Sequence, residues 1–123
     1  MGAGRLLLVE DEDNVRAILR RALERKGYDV ECASNGEEAM ALIQAADPPI
    51  QLLISDVVMP TMDGPTLVGK ARELIPDLRV ILISGYAEEQ LRQLMDSTNF
   101  IFLPKPFSVQ QLAEVVGRAL QSA

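Results

Sequence analysis

Histidine is absent from the 123 residues, and cysteine occurs once, as Cys32. Without histidine the chain can build no Ser-His-Asp or Cys-His catalytic site, offers no imidazole to a metal and carries no phosphohistidine of its own. A single cysteine permits no internal disulfide and no multi-cysteine metal site, which fits a reducing cytoplasm. Long apolar runs are missing too. The first, "LLLV" at 6–9, gives way at once to "EDEDN" and is too short for a signal-peptide core or a membrane span. Gly2 follows Met1, but Leu6 stands where an N-myristoylation signal needs Ser or Thr. There is no GxxxxGK[ST] phosphate loop, and "GAG" at 2–4 lies on the wrong side of the first apolar run for a dinucleotide fingerprint. Basic charge is in deficit: 12 Lys and Arg against 18 Asp and Glu leave a formal charge of −6. Long-range repulsion therefore opposes a nonspecific grip on nucleic acid or anionic lipid. The expectation is a soluble cytoplasmic domain with no direct nucleic-acid or membrane contact.

What is present is enough apolar material, 48% of residues, for one core, so residues 1–123 read as a single domain with a core of about 5–121. Short apolar runs at 5–9, 50–55, 78–83 and 99–103, with a half-polar one at 28–33, alternate with helical patterns. Val15, Ile18, Leu19, Ala22 and Leu23 follow helical spacing, with Gly27 placed as a C-terminal cap. Val109, Leu112, Ala113, Val116 and Leu120 form a second stripe behind a Ser108 N-cap. Asn35 is placed to cap a helix over "GEEAMALIQ", Pro65 suits the first turn of one running to about Leu74, and Ala87, Leu91, Leu94 and Met95 suggest a fourth. Five strand-helix repeats with strands lacking clean alternation predict an α/β fold, a parallel sheet covered on both faces. The commonest such arrangement is the flavodoxin-like (βα)5 three-layer sandwich of strand order 2-1-3-4-5.

The carboxyl ends of the predicted strands carry Glu10 and Asp11, Asp56, Ser84 and Gly85, and Pro104, Lys105 and Pro106. In an open parallel sheet these ends share one edge, and the assumed order brings Glu10, Asp11 and Asp56 into one crevice. Three carboxylates there need a positive partner, and oxygen-only ligands suit a hard divalent cation, Mg²⁺ or Mn²⁺, better than a dedicated Ca²⁺ cage. Lys105 supplies a point charge for a phosphoryl oxygen, Ser84 a hydroxyl donor, and Gly85 close backbone approach. Such a set is a phosphoryl-transfer site, with Asp56 as the expected nucleophile.

"LLLVEDED", "LLISDVVMPTMDG", "ILISG" and "LPKPF" together resemble the receiver domain of two-component response regulators over nearly the whole chain. The resemblance implies that Asp56 accepts a phosphoryl group from a phosphohistidine on a histidine kinase or a histidine phosphotransfer protein. It implies that Asp11, Asp56 and the Val58 backbone carbonyl hold Mg²⁺ directly, with Glu10 acting through water. Ser84 and Lys105 would contact the phosphoryl oxygens, and Ser84 and Phe102 would form the switch. The Lys105-Pro106 peptide would be cis. The wording of "SDVVMPTMDGPTLV", "ILISGYAEE" and "FLPKPFSVQQLAEVV" is similar to terminal receivers of hybrid histidine kinases, whose parent chains can be membrane-anchored. A stand-alone single-domain regulator is the alternative. Helix 4, strand 5 and helix 5 form the expected partner surface or weak dimer face.

Blander readings accompany each feature. Asp13 suits a solvated helix N-terminus, Cys32 a small buried apolar residue on strand 2, and Met59 and Met62 loop packing. "DEDNV" also fits the DxDxV signature of haloacid-dehalogenase-like phosphatases, with Asp11 as nucleophile and Asp13 as acid, but after Lys105 only Glu114 remains to supply the later acidic pair. An unphosphorylated interaction module of the same fold is the third class, and the filled key positions speak against it.

Overall fold

Five strands and five helices alternate along the chain in a computed structural model that describes residues 5–95 and 99–121, the side chain of Leu94 excepted. Gly2 and the "GAG" stretch lie outside the described residues, as does the Leu94 side chain of the helix 4 stripe. The elements are β1 (Arg5–Val9), α1 (Asp13–Arg25), β2 (Asp29–Ala33), α2 (Gly36–Ala45), β3 (Leu52–Asp56), α3 (Gly64–Leu74), β4 (Arg79–Ser84), α4 (Glu88–Leu94), β5 (Ile101–Pro104) and α5 (Val109–Gln121). The strands form one parallel sheet in the order β2-β1-β3-β4-β5, as the expected fold requires.

Both faces of the sheet are covered, which is why β3 is buried along its whole length and shows no alternation. On one face Leu7, Val9, Leu53 and Leu82 pack with Ala39 and Ile43 of α2, Leu67 and Val68 of α3 and Leu91 of α4. On the other, Leu6, Leu8, Ile54, Ile81 and Ile83 pack with Leu19 and Leu23 of α1 and Leu112 and Val116 of α5. Burying a side chain such as Leu53 or Ile54 completely contributes about 1.5–3 kcal/mol.

Helix limits follow local chemistry. The Asn35 side chain accepts the Glu38 amide at 2.8 Å, and the Asp63 side chain accepts that of Thr66 at 2.8 Å. Ser108 and Gln111 form a reciprocal capping box, at 3.0 Å and 2.8 Å. Gly27 ends α1 at φ 95°, a left-handed conformation that glycine adopts without penalty. Two expectations need correction. The fourth helix is shorter than its apolar stripe, because Ala87 and Met95 are extended residues flanking it. Cys32 is half-buried rather than buried, since it sits on edge strand β2 and borders the α1 side of the core.

Candidate functional site

The parallel register sets Leu8 beside Ile54 and Val9 beside Ser55, so the chain leaves β1 and β3 at the same height. Glu10, Asp11 and Asp56 thus emerge together, each with a carboxylate oxygen within 4.8 Å of the others. Asp56 and Glu10 are each only 4% exposed, whereas Asp11 faces solvent. Across β4, Ser84 pairs with Pro104, and the Lys105 amide donates to the Ser84 carbonyl at 2.9 Å. That turn, with a cis Lys105-Pro106 peptide, brings Lys105 Nζ to 2.9 Å from Asp56 Oδ1.

The electrostatics follow from this crowding. Burial pushes the Glu10 carboxyl up to about 7, the Glu12 amide bond working against it and the neighbouring Asp56 and Asp11 carboxyls with it. Partial burial works to lower the Lys105 ammonium, but its bond to Asp56 and the charges of Asp56, Glu10 and Glu12 outweigh that and hold it above the ordinary lysine range. One lysine against three carboxyl groups leaves the crevice short of positive charge. An all-oxygen donor set, two of its members nearly buried, fits a hard divalent ion.

Several groups that hold the site in shape were not singled out from the sequence. The Glu12 amide donates to Glu10 Oε2 at 3.0 Å, and the Glu10 amide to the Ala33 carbonyl at 3.1 Å. Arg16 reaches back from α1 to donate to the Glu10 carbonyl at 2.8 Å while pairing with Asp13. An arginine three residues after an acid at a helix start is the signal that would have marked it. Asp13 is paired with Arg16 at the surface, with its side chain 87% exposed. Ser55, wholly buried, donates its hydroxyl to the Asp56 carbonyl at 2.9 Å. Gly64 lies against the end of β3: a Cβ there would come within 2.5 Å of the Asp56 carbonyl oxygen.

The remaining expected residues lie around this group. The Ser84 hydroxyl accepts the Tyr86 amide at 2.8 Å, and the residue is 3% exposed. Phe102 is half-buried against the core that α2, α3 and α4 cover. Val58 lies two residues after Asp56 in the β3-α3 loop, with its side chain exposed, and Tyr86 is an exposed aromatic at the end of β4. Met59 is buried and Met62 half-buried, the loop packing that was expected.

The family described as "Response regulator receiver domain" matches residues 6–117. The sensor kinase CckA of Brucella abortus (strain 2308) is 46% identical over 121 residues, which are 98% of this chain but 13% of that protein. The response regulator receiver protein CpdR of the same organism is 38% identical over 120 residues, 97% of this chain and 98% of that protein. The crystal structure of the receiver domain from the hybrid histidine kinase CckA aligns with a TM-score of 0.80 at 46% identity, covering 96% of this chain and 100% of that one. The chemotaxis response regulator CheY4 of Vibrio cholerae aligns with a TM-score of 0.85 at 27% identity, covering 96% and 99%.

Proposed function

The chain belongs to the response regulator receiver domain family, and from that premise we propose that Asp56 is its phosphoacceptor. The observation that carries the proposal is the 2.9 Å contact of Lys105 with an Asp56 carboxylate grouped with Glu10 and Asp11. A carboxylate oxygen of Asp56 forms the new P–O bond as the P–N bond of a phosphohistidine breaks, and the donor imidazole keeps the bonding pair. Lys105 neutralises charge on the transferring oxygens, and Ser84 donates its hydroxyl to one of them in the product. Asp11, Asp56 and the Val58 carbonyl would hold Mg²⁺, with Glu10 acting through water. Bound there, the ion supplies charge neutralisation for the phosphoryl oxygens.

The same reading gives the modification a way out of the site. Drawing the Ser84 hydroxyl from the Tyr86 amide towards the phosphoryl group frees space for Phe102, and the face of α4, β5 and α5 changes shape. On this face we also place a weak dimer contact. The partners are a histidine kinase or a histidine phosphotransfer protein. The likeness to the CckA receiver favours the terminal receiver of a hybrid kinase. The full-length match to CpdR favours a stand-alone regulator, the second reading. Among the described residues no helix is long and apolar enough to cross a membrane.

The test is labelling with acetyl phosphate. Wild type takes up one phosphoryl group per chain in Mg²⁺ and none in excess EDTA, and Asp56→Asn takes up none while keeping the wild-type circular dichroism. Label on Asp56→Asn, or undiminished labelling in EDTA, overturns the assignment.

A further inference from the structure

We infer that Thr61 and Glu37 are positioning residues that tie the loop carrying Val57 and Val58 to the first turn of α2, and so set how the Val58 carbonyl is presented to the metal. The inference rests on the reading of Asp56 and its metal site given above.

Residues 57–63 lead from the phosphoacceptor to α3, entered by the Val57 amide donating to the Ile83 carbonyl at 3.0 Å and held by further contacts. At the far end, the Gly64 amide donates to the Val57 carbonyl at 2.8 Å, so the loop closes back on its own start. In the middle, the Met62 amide donates to the Pro60 carbonyl at 2.7 Å, forming a three-residue turn around Thr61 at φ 66°. A β-branched residue rarely adopts positive φ, and such a conformation persists only where the surroundings impose it.

Here the surroundings are the first turn of α2. The Thr61 hydroxyl lies 2.6 Å from the Pro60 carbonyl and 3.1 Å from Glu37 Oε1, so its proton is shared between a local acceptor and one 24 residues away in sequence. Beside it Met62 lies against Gly36, where a Cβ would come within 2.6 Å of the Met62 sulfur. Gly36 does not have a positive φ, so the close approach of Met62 is what its missing side chain serves. The seat is itself fixed, because Asn35 accepts the Glu38 amide and Glu38 in turn accepts the Ser34 amide. The loop is therefore pinned at Gly64 on one side and at α2 on the other. The Val58 side chain is exposed, and its backbone is held by the buried Val57 and Met59 on either side together with these pins.

Glu37 is acidic, so its removal would also weaken cation binding through the field alone. The variants separate the two effects. Glu37→Gln keeps an acceptor and removes the charge; Glu37→Ala removes both; Thr61→Val keeps the branched shape and loses the hydroxyl; Thr61→Ser keeps the hydroxyl. The readouts are the Mg²⁺ dissociation constant of the unphosphorylated domain by isothermal titration calorimetry and the acetyl phosphate labelling rate at saturating Mg²⁺. Glu37→Ala and Thr61→Val are expected to bind Mg²⁺ about three- to tenfold more weakly, the range a single lost hydrogen bond supports. Their labelling rate at saturation stays near wild type, and Glu37→Gln and Thr61→Ser stay near wild type in both. Gly36→Ala, which drives a methyl group into Met62, gives the same loss of affinity with both hydrogen-bonding groups intact. Wild-type Mg²⁺ affinity in Glu37→Ala, Thr61→Val and Gly36→Ala overturns the inference. A loss in Glu37→Gln equal to that in Glu37→Ala also overturns it, because charge alone then accounts for the effect. Failure of wild type itself to bind Mg²⁺ or take up label would instead overturn the reading of Asp56 on which it rests.

Discussion

Lys105 Nζ stands 2.9 Å from Asp56 Oδ1, a half-exposed cation against a carboxylate that is almost wholly enclosed. The lysine thus occupies one oxygen of the Asp56 carboxylate, where it would compete with any cation that the carboxylates take up.

Replacing it should therefore move two quantities in opposite directions. Lys105→Met is expected to bind Mg²⁺ about threefold more tightly, because a nearby positive charge is removed. Its acetyl phosphate labelling should be slower by on the order of a hundredfold, because a donor to the transferring oxygens is lost. Calorimetry and initial-rate labelling on one preparation check both, and a parallel fall in affinity and rate would contradict the placement of Lys105.

Glu10 predicts a pH dependence in the metal-free domain. Its folded-state carboxyl is raised to about 7 from 4.5, so the folded chain holds the proton more tightly than the unfolded chain. The stability contributed by Glu10 is fully present below pH 4.5 and is lost as the pH rises through about 7. In EDTA at pH 8, Glu10→Gln should melt on the order of 10 °C above wild type, and the difference should vanish below pH 4.5. Proton competition at the same carboxyl should make wild-type Mg²⁺ affinity fall as the pH drops below 7. Differential scanning calorimetry across pH 4–8, a window on the order of the shift itself, checks the sign.

Val58 and Tyr86 follow Asp56 and Ser84 by two residues each and expose apolar or phenolic surface at the rim of the site. Neither offers a carboxylate or amide to orient an attacking water, so the acyl phosphate should decay slowly. Val58→Asn should speed its loss by up to about tenfold, a part of the range that positioning one reactant supports. Phosphate release from labelled protein measures it, and an unchanged rate removes the argument.

The glycines separate into opposite predictions. Gly64→Ala should destabilise by about 2–3 kcal/mol, because its methyl meets the Asp56 carbonyl rather than a yielding side chain. Gly69→Ala and Gly117→Ala lie within α3 and α5 with open space at the Cβ position, and each should stabilise by about 0.5–1 kcal/mol. Urea denaturation of the three variants tests them together.

Much of this architecture was legible beforehand for identifiable reasons. Apolar runs of five or six residues punctuated by Asn35, Gly27 and Ser108 announce strands and caps through local chemistry alone. The grouping of Glu10, Asp11, Asp56 and Lys105 followed once the strand order was assumed, since parallel strand ends share an edge. What escaped was long-range and mediated by ordinary residue types. The bond from Thr61 to Glu37 and the seat of Met62 on Gly36 depend on how a loop falls across a helix start, which periodicity does not encode. The end of α4 is not legible because Met95 keeps helical spacing from Leu91, and its amide still bonds the Leu91 carbonyl, just after the helix has stopped.

Asp56 terminates the middle strand of five, flanked by hydrogen-bonded neighbours and packed on both faces. On the proposed reading a reactive group mounted there sits on a strand buried along its whole length, as a load bolted to the keel of a hull. Under the proposed function, a phosphoryl charge added there could not be accommodated by shifting its own support. The displacement must pass into the turns that follow β3, β4 and β5, where the backbone can yield. Amide hydrogen exchange should therefore remain slowest along 52–56 with or without the modification, while the loops around Val58, Tyr86 and Lys105 carry the change.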